Sequence, residues 1–144
     1  MASEPEYDDV LIVRRVISAP RERVFAAWLD PEQLARFMRP GDVTSATAVV
    51  DARVGGSFRI VMNHGRGDAE HWGEYLAIDP PALLSFTWTS GSTDLRPTVV
   101  TVEFLEHPRG TEVVLTHRGL PRRTFDAHKN GWGAIARTLA TLLE

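Results

Sequence analysis

The 144 residues contain no cysteine. That absence excludes a disulfide framework, a zinc–thiolate centre and a thiol nucleophile together. No run approaches the roughly 18 apolar residues that a membrane-crossing helix needs, so no membrane insertion is expected. Positive charge is not in surplus either. Lys and Arg total 16 against 19 for Asp and Glu, a formal net charge of -3. A general nucleic-acid binder carries a basic excess, so nucleic acid is not an expected partner. Residues 1–9 are acidic and lack an apolar core. They read as a flexible leader rather than a signal peptide, and the expected location is cytoplasmic. With 43% hydrophobic and 24% charged residues, residues 10–144 suit one globular domain.

The order of hydrophobic patterns carries the fold. Val10–Ile17 is rich in Val and Ile and reads as a strand, with Arg14 and Arg15 on opposite faces near an edge or end. Ser18-Ala19-Pro20 opens a helix, with Ser18 as a candidate cap, and Val24, Phe25, Trp28 and Leu29 form its apolar face. Asp30-Pro31-Glu32-Gln33 begins a second short helix whose apolar side is Leu34, Phe37 and Met38. Strand patterns follow over Ala46–Val54, Ser57–Asn63, Trp72–Ile78, Leu83–Thr89, Thr98–Leu105 and Thr111–Arg118. Gly55-Gly56, His64–Asp68, Asp79-Pro80-Pro81 and Glu106–Gly110 are the turns between them. The expected inward sets include Phe58, Ile60 and Met62, then Leu84, Phe86 and Trp88, then Val100, Val102 and Phe104, then Val113 and Leu115.

The final segment is the longest helix. His128, Trp132, Ile135, Leu139 and Leu142 fall on one stripe. Gly131 and Gly133 flank Trp132, each weakening the helix by about 1 kcal/mol relative to Ala. Close approach of the helix to a sheet or ligand is the expected compensation. The fold class is therefore α+β: a curved antiparallel sheet of about six or seven strands, wrapped around a long C-terminal helix, with two short helices between the first two strands. A hollow between sheet and helix is the expected ligand site.

Several motifs in fixed order resemble a known family. They are Ser18-Ala19-Pro20 with Val24-Phe25, Trp28 and Pro31; Asp51-x-Arg53-x-Gly55-Gly56; Met62; Gly73-Glu74-Tyr75-Leu76-x-Ile78-Asp79-Pro80-Pro81; Leu84-x-Phe86-Thr87-Trp88; Gly110-Thr111-x-Val113-x-Leu115-Thr116-His117; and His128-x-x-Gly131-Trp132. Together they resemble the SRPBCC (START-like, birch-pollen-allergen-like) superfamily, and within it the branch of activator of heat-shock-protein-90 ATPase homologues. The resemblance runs from about Val10 to the C-terminus. It implies the helix-grip fold. The superfamily spans lipid and steroid carriers, cyclases and receptors, so the resemblance does not itself supply a reaction. The branch name implies a stress-linked chaperone contact as one reading.

The expected function is binding of a small apolar molecule, with no cofactor, no metal and no assigned catalytic residue. Trp28, Phe37, Phe58, Trp72, Phe86, Trp88 and Trp132 either line the hollow or fill the core, and Met62, Val100, Val102 and Ile135 are further wall residues. His117 and His128 are candidate polar contacts, and each has an ordinary structural alternative. Glu74 depends on register. It faces inward if Trp72, Leu76 and Ile78 do, and outward if Tyr75 is the buried residue. An inward Glu74 with a histidine would suit a cyclase- or hydrolase-like alternative. His64 and His71 with Asp68 and Glu70 match no tight metal motif. Arg36, Arg39, Arg122 and Arg123 read as solvated faces, with an anion-attracting rim as the alternative. An exposed sheet edge would permit a homodimer.

Overall fold

The computed structural model of the chain describes residues 10–144, so the expected leader at 1–9 lies outside the described residues. The element order is β1 (Val10–Ile17), α1 (Arg21–Ala27), α2 (Pro31–Phe37), β2 (Ser45–Val50), β3 (Ser57–Asn63), β4 (Asp68–Asp79), β5 (Leu83–Trp88), β6 (Thr98–His107), β7 (Gly110–Arg118) and α3 (Arg122–Leu143). The seven strands form one sheet in the order β1-β7-β6-β5-β4-β3-β2, with every neighbouring pair antiparallel. This is the α+β helix-grip architecture expected from the pattern order. β1 is an edge strand, which explains how both Arg14 and Arg15 remain exposed.

Local chemistry sets most boundaries. Asp30 caps α2: its carboxylate accepts from the Glu32 amide at 2.9 Å and from Gln33 Nε2 at 3.1 Å. Ser18 is not a cap. The residue before α1 is Pro20, without a side-chain cap, and the Ser18 amide donates to Glu144 Oε2 at 3.0 Å. β2 stops at Val50 rather than Val54, because the amides of Arg53 and Gly56 turn back onto Asp51 and Arg53 carbonyls. β4 starts at Asp68 rather than Trp72, because Asn63 Nδ2 holds Asp68 Oδ1 at 2.7 Å across a tight hairpin.

One irregularity decides which face β4 presents. Tyr75 pairs with Phe86, yet Ile78 pairs with Leu84, and the register shifts between Tyr75 and Ala77. Three steps on β4 oppose two on β5, so the bulge inverts the alternation. Before it, His71, Gly73 and Tyr75 face the helix side while Trp72, Glu74 and Leu76 face outward. After it, Ile78 is half-buried. Gly73 is required at its place: a Cβ there would lie 1.9 Å from the Thr87 carbonyl oxygen and 2.7 Å from the Phe58 ring.

The space between sheet and helices is filled by rings. Phe25 meets Phe104 at 5.2 Å between centroids, Trp28 meets Phe37 at 5.2 Å and Trp132 at 6.4 Å, and Trp132 meets Trp88 at 5.0 Å. Phe58 continues the chain to Phe86 at 5.3 Å and Tyr75 at 5.4 Å. Leu84, Val100, Val102 and Phe104 are buried beneath them. A void of about 10 Å³ is left among Trp28, Phe58, Tyr75, Phe86 and Trp88. The expected hollow beneath the long helix is thus occupied by side chains, because seven strands supply enough inward aromatics to close it.

Candidate functional site

The open space lies at the flank of α3. A cleft of about 810 Å³ runs between α3, the α2–β2 connection from Arg39 to Asp42, the β3–β4 hairpin, Trp88 and Ser92. Its floor is Met62, Trp88, Trp132 and Ile135, all buried. Small residues on α3 make the room. Ala127, Gly131, Ala134 and Thr138 line the cleft at spacings of a helix face, beside the apolar stripe. A Cβ on Gly131 would stand 3.8 Å from the Pro40 Cβ, whereas nothing lies within 4 Å of one on Gly133. The expected close approach thus applies at most to Gly131, where the contact is ordinary; at Gly133 there is none.

His117 sits behind the floor, fully buried. Trp132 Nε1 donates to its Nδ1 at 3.0 Å, and its Nε2 meets Thr98 Oγ1 at 2.7 Å. Thr98 Oγ1 donates to the Trp88 carbonyl at 2.5 Å. Since the indole can only donate, His117 Nδ1 must accept, so Nε2 carries the proton. Every group in this relay is satisfied with His117 neutral. Burial, reinforced by the charge of nearby His128, pushes its pKa down to about 3.

His128 is half-buried on the cleft wall, its ring 5.4 Å from His117 and perpendicular to it. Its Nδ1 donates to the Thr124 carbonyl at 2.8 Å, which turns Nε2 into a free acceptor. Burial lowers its pKa, with the Thr124 bond opposing. His71 stacks on Trp88 with centroids 4.9 Å apart. Its Nδ1 is buried without a hydrogen-bond partner, and burial pushes its pKa down to about 4. At the mouth, His64 Nδ1 meets Asp42 Oδ1 at 3.0 Å, and this bond holds the Asp42 carboxyl below its ordinary range. Among the described residues no His, Asp and Glu group has the geometry of a metal site.

Of the residues singled out from the sequence, Met62, Trp88, His128, Trp132 and Ile135 border the cleft. Trp28, Phe37, Phe58, Phe86, Val100 and Val102 lie in the filled interior instead. His117 supports Trp132 from behind. Trp72 and Glu74 are corrected: both face outward, because the bulge at Tyr75/Ala77 reverses the alternation that ties them to Ile78. The interior Glu74–histidine pair of the hydrolytic alternative is therefore not assembled. Arg39, read from the sequence as a solvated face with an anion-attracting rim as the alternative, lines the cleft, as do His71 and Arg137, which were not assigned to the site from the pattern. The stripe of small residues on α3 was the available signal for Arg137, and the odd-numbered run His71, Gly73, Tyr75 was the signal for His71.

The family model described as Activator of Hsp90 ATPase homolog 1-like protein matches residues 18–144. No curated protein matches the chain. The crystal structure of protein CV1439 from Chromobacterium violaceum is 26% identical, covers 94% of this chain and 96% of its own, and has a TM-score of 0.86. Protein NE0264 from Nitrosomonas europaea is similar at 23% identity over 98% and 96%, with a TM-score of 0.79. PFC0360w, an HSP90 activator from Plasmodium falciparum, is 25% identical over 93% and 95%, with a TM-score of 0.73. Among the described residues no helix is long and apolar enough to cross a membrane.

Proposed function

This chain belongs to the family of activator of Hsp90 ATPase homolog 1-like proteins, and from that starting point we propose that it binds a small, largely apolar molecule in the cleft beside α3. The observation that carries the reading is the buried floor of Met62, Trp88, Trp132 and Ile135 beneath an opening of about 810 Å³. A ring burying about 150 Å² there gains roughly 4 kcal/mol before the cost of association. Apolar burial alone therefore supports weak binding, and polar groups must supply the rest. His128 Nε2 is one acceptor available to a ligand hydroxyl or amine.

Titration with the neutral fluorescent probe N-phenyl-1-naphthylamine tests this. Saturable enhancement is expected, weakened severalfold in Ala134→Leu, which fills the cleft, and unchanged in Glu74→Gln. Equal binding by Ala134→Leu, or no saturable binding, overturns the proposal.

A second reading is supported by the family description and by the outer sheet face. Val49 and Trp72, 71% and 39% exposed, flank Arg59 in register across β2, β3 and β4. Such a strip suits contact with an Hsp90-type chaperone. Retention of purified chaperone by the chain, lost in Val49→Ser/Trp72→Ser, is the expected result. Equal retention by that variant contradicts it.

A further inference from the structure

The mouth of the cleft is biased toward positive charge. Arg39 is exposed there, and its Nε donates to the Ala35 carbonyl at 2.8 Å. That bond steadies the guanidinium and leaves its two terminal nitrogens unspent. Arg137, exposed on α3, has no side-chain partner among the described residues. The carboxylate lining the same mouth, Asp42, is engaged by His64. Two guanidiniums thus line the mouth with no carboxylate among the described residues bonded to either, and guanidinium groups are suited to holding a planar anion.

Deeper in, the chemistry changes. His71, Trp88 and Trp132 form a wall of rings in contact, at 4.9 and 5.0 Å between centroids. Burial favours neutral His71 and His128, so the inner end offers no charge for an anion. The cleft does not continue into the interior. Behind Trp88 the interior leaves only about 10 Å³, so a long acyl chain has no tunnel to enter. A compact ring has a wall to lie on.

Building on the cleft-binding reading, we infer that the ligand is a compact aromatic acid, its ring on the His71–Trp88–Trp132 wall and its carboxylate at Arg39 and Arg137. The ring gives apolar burial and the carboxylate gives orientation. A neutral ring of the same shape loses the second contribution, and a fatty acid loses the first.

Calorimetric titration of the whole chain with 2-naphthoate, 2-naphthamide and palmitate tests this. 2-Naphthoate is expected to bind at least about tenfold more tightly than the amide, as charge-assisted hydrogen bonds at a rim allow. The preference should shrink with added salt. It should fall to about twofold or less in Arg39→Gln/Arg137→Gln, whose exposed positions leave the fold intact. Palmitate should bind more weakly than 2-naphthoate. Equal affinity for acid and amide, survival of the preference in the double variant, or tighter palmitate binding would overturn the aromatic-acid assignment while leaving cleft binding in place. Failure of 2-naphthoate, 2-naphthamide and N-phenyl-1-naphthylamine alike would overturn both.

Discussion

Trp132 Nε1 donates to His117 Nδ1 across 3.0 Å, and this bond ties the long helix to the sheet. Trp132 lies on α3 and His117 on β7. Because His117 passes its own proton toward Thr98, the indole, the imidazole and the hydroxyl hold one directional chain ending on the Trp88 carbonyl. The chain thereby links the Trp132 side chain to the backbone of Trp88 through one buried histidine and Thr98. The relay is a positioning device for the floor.

Trp132→Phe keeps a ring in place but leaves His117 Nδ1 without its donor. The expected loss is about 1–3 kcal/mol, the usual penalty for an orphaned buried polar group. Thr98→Val removes the other end and should cost a similar amount. Urea denaturation measures both. The double variant should lose less than the sum, because both substitutions act through His117.

Acid should weaken the fold earlier than carboxylate titration alone would. The pKa values of His117 and His71 are lowered from 6.5 to about 3 and about 4. The unfolded chain takes up protons near 6.5 while the folded chain does not, so their stabilisation is complete above that value and is lost as pH falls below it. Each histidine that stays neutral contributes a slope of about 1.4 kcal/mol per pH unit. Denaturation between pH 6 and 5, where most carboxylates remain ionised, isolates the effect. His117→Asn should flatten the slope by about one such increment.

Gly133→Ala should stabilise the chain by about 0.5–1 kcal/mol, since helix propensity improves and nothing lies within 4 Å of the added methyl. Gly131→Ala should also stabilise, but it narrows the cleft and should weaken probe binding. Thermal melts and the fluorescence titration separate the two. Gly73→Ala is expected to do the opposite of Gly133→Ala, costing about 1–3 kcal/mol or more, because the added methyl collides with the Thr87 carbonyl oxygen and then with the Phe58 ring.

The strand order and helix stripe were legible because they rest on simple periodicities. Phe58, Ile60 and Met62 alternate, as do Leu84, Phe86 and Trp88, and all six are buried. Trp132, Ile135 and Leu139 repeat at helical spacing and are buried as well. The bulge at Tyr75/Ala77 was not legible, since one extra residue leaves no mark in composition while reversing a whole face. That single event misplaced Trp72 and Glu74. The filling of the interior was hidden for another reason. Periodicity reports which side chains face inward, but their summed volume against the space available depends on sheet curvature. Trp28 and Phe86 therefore fit equally well as wall or as core. The cleft itself depended on absence of bulk at Ala127, Gly131 and Ala134, a pattern that hydrophobic stripes overshadow.

The four tryptophans give the most direct test of the central claim, because they divide among three places. Trp88 and Trp132 form the cleft floor, Trp28 lies in the interior and Trp72 is on the outer face. Indole N–H resonances followed by NMR during titration with N-phenyl-1-naphthylamine should show saturable shifts of Trp88 and Trp132, with Trp72 unmoved. Shifts confined to Trp72, or no saturable change at any indole, would contradict the account.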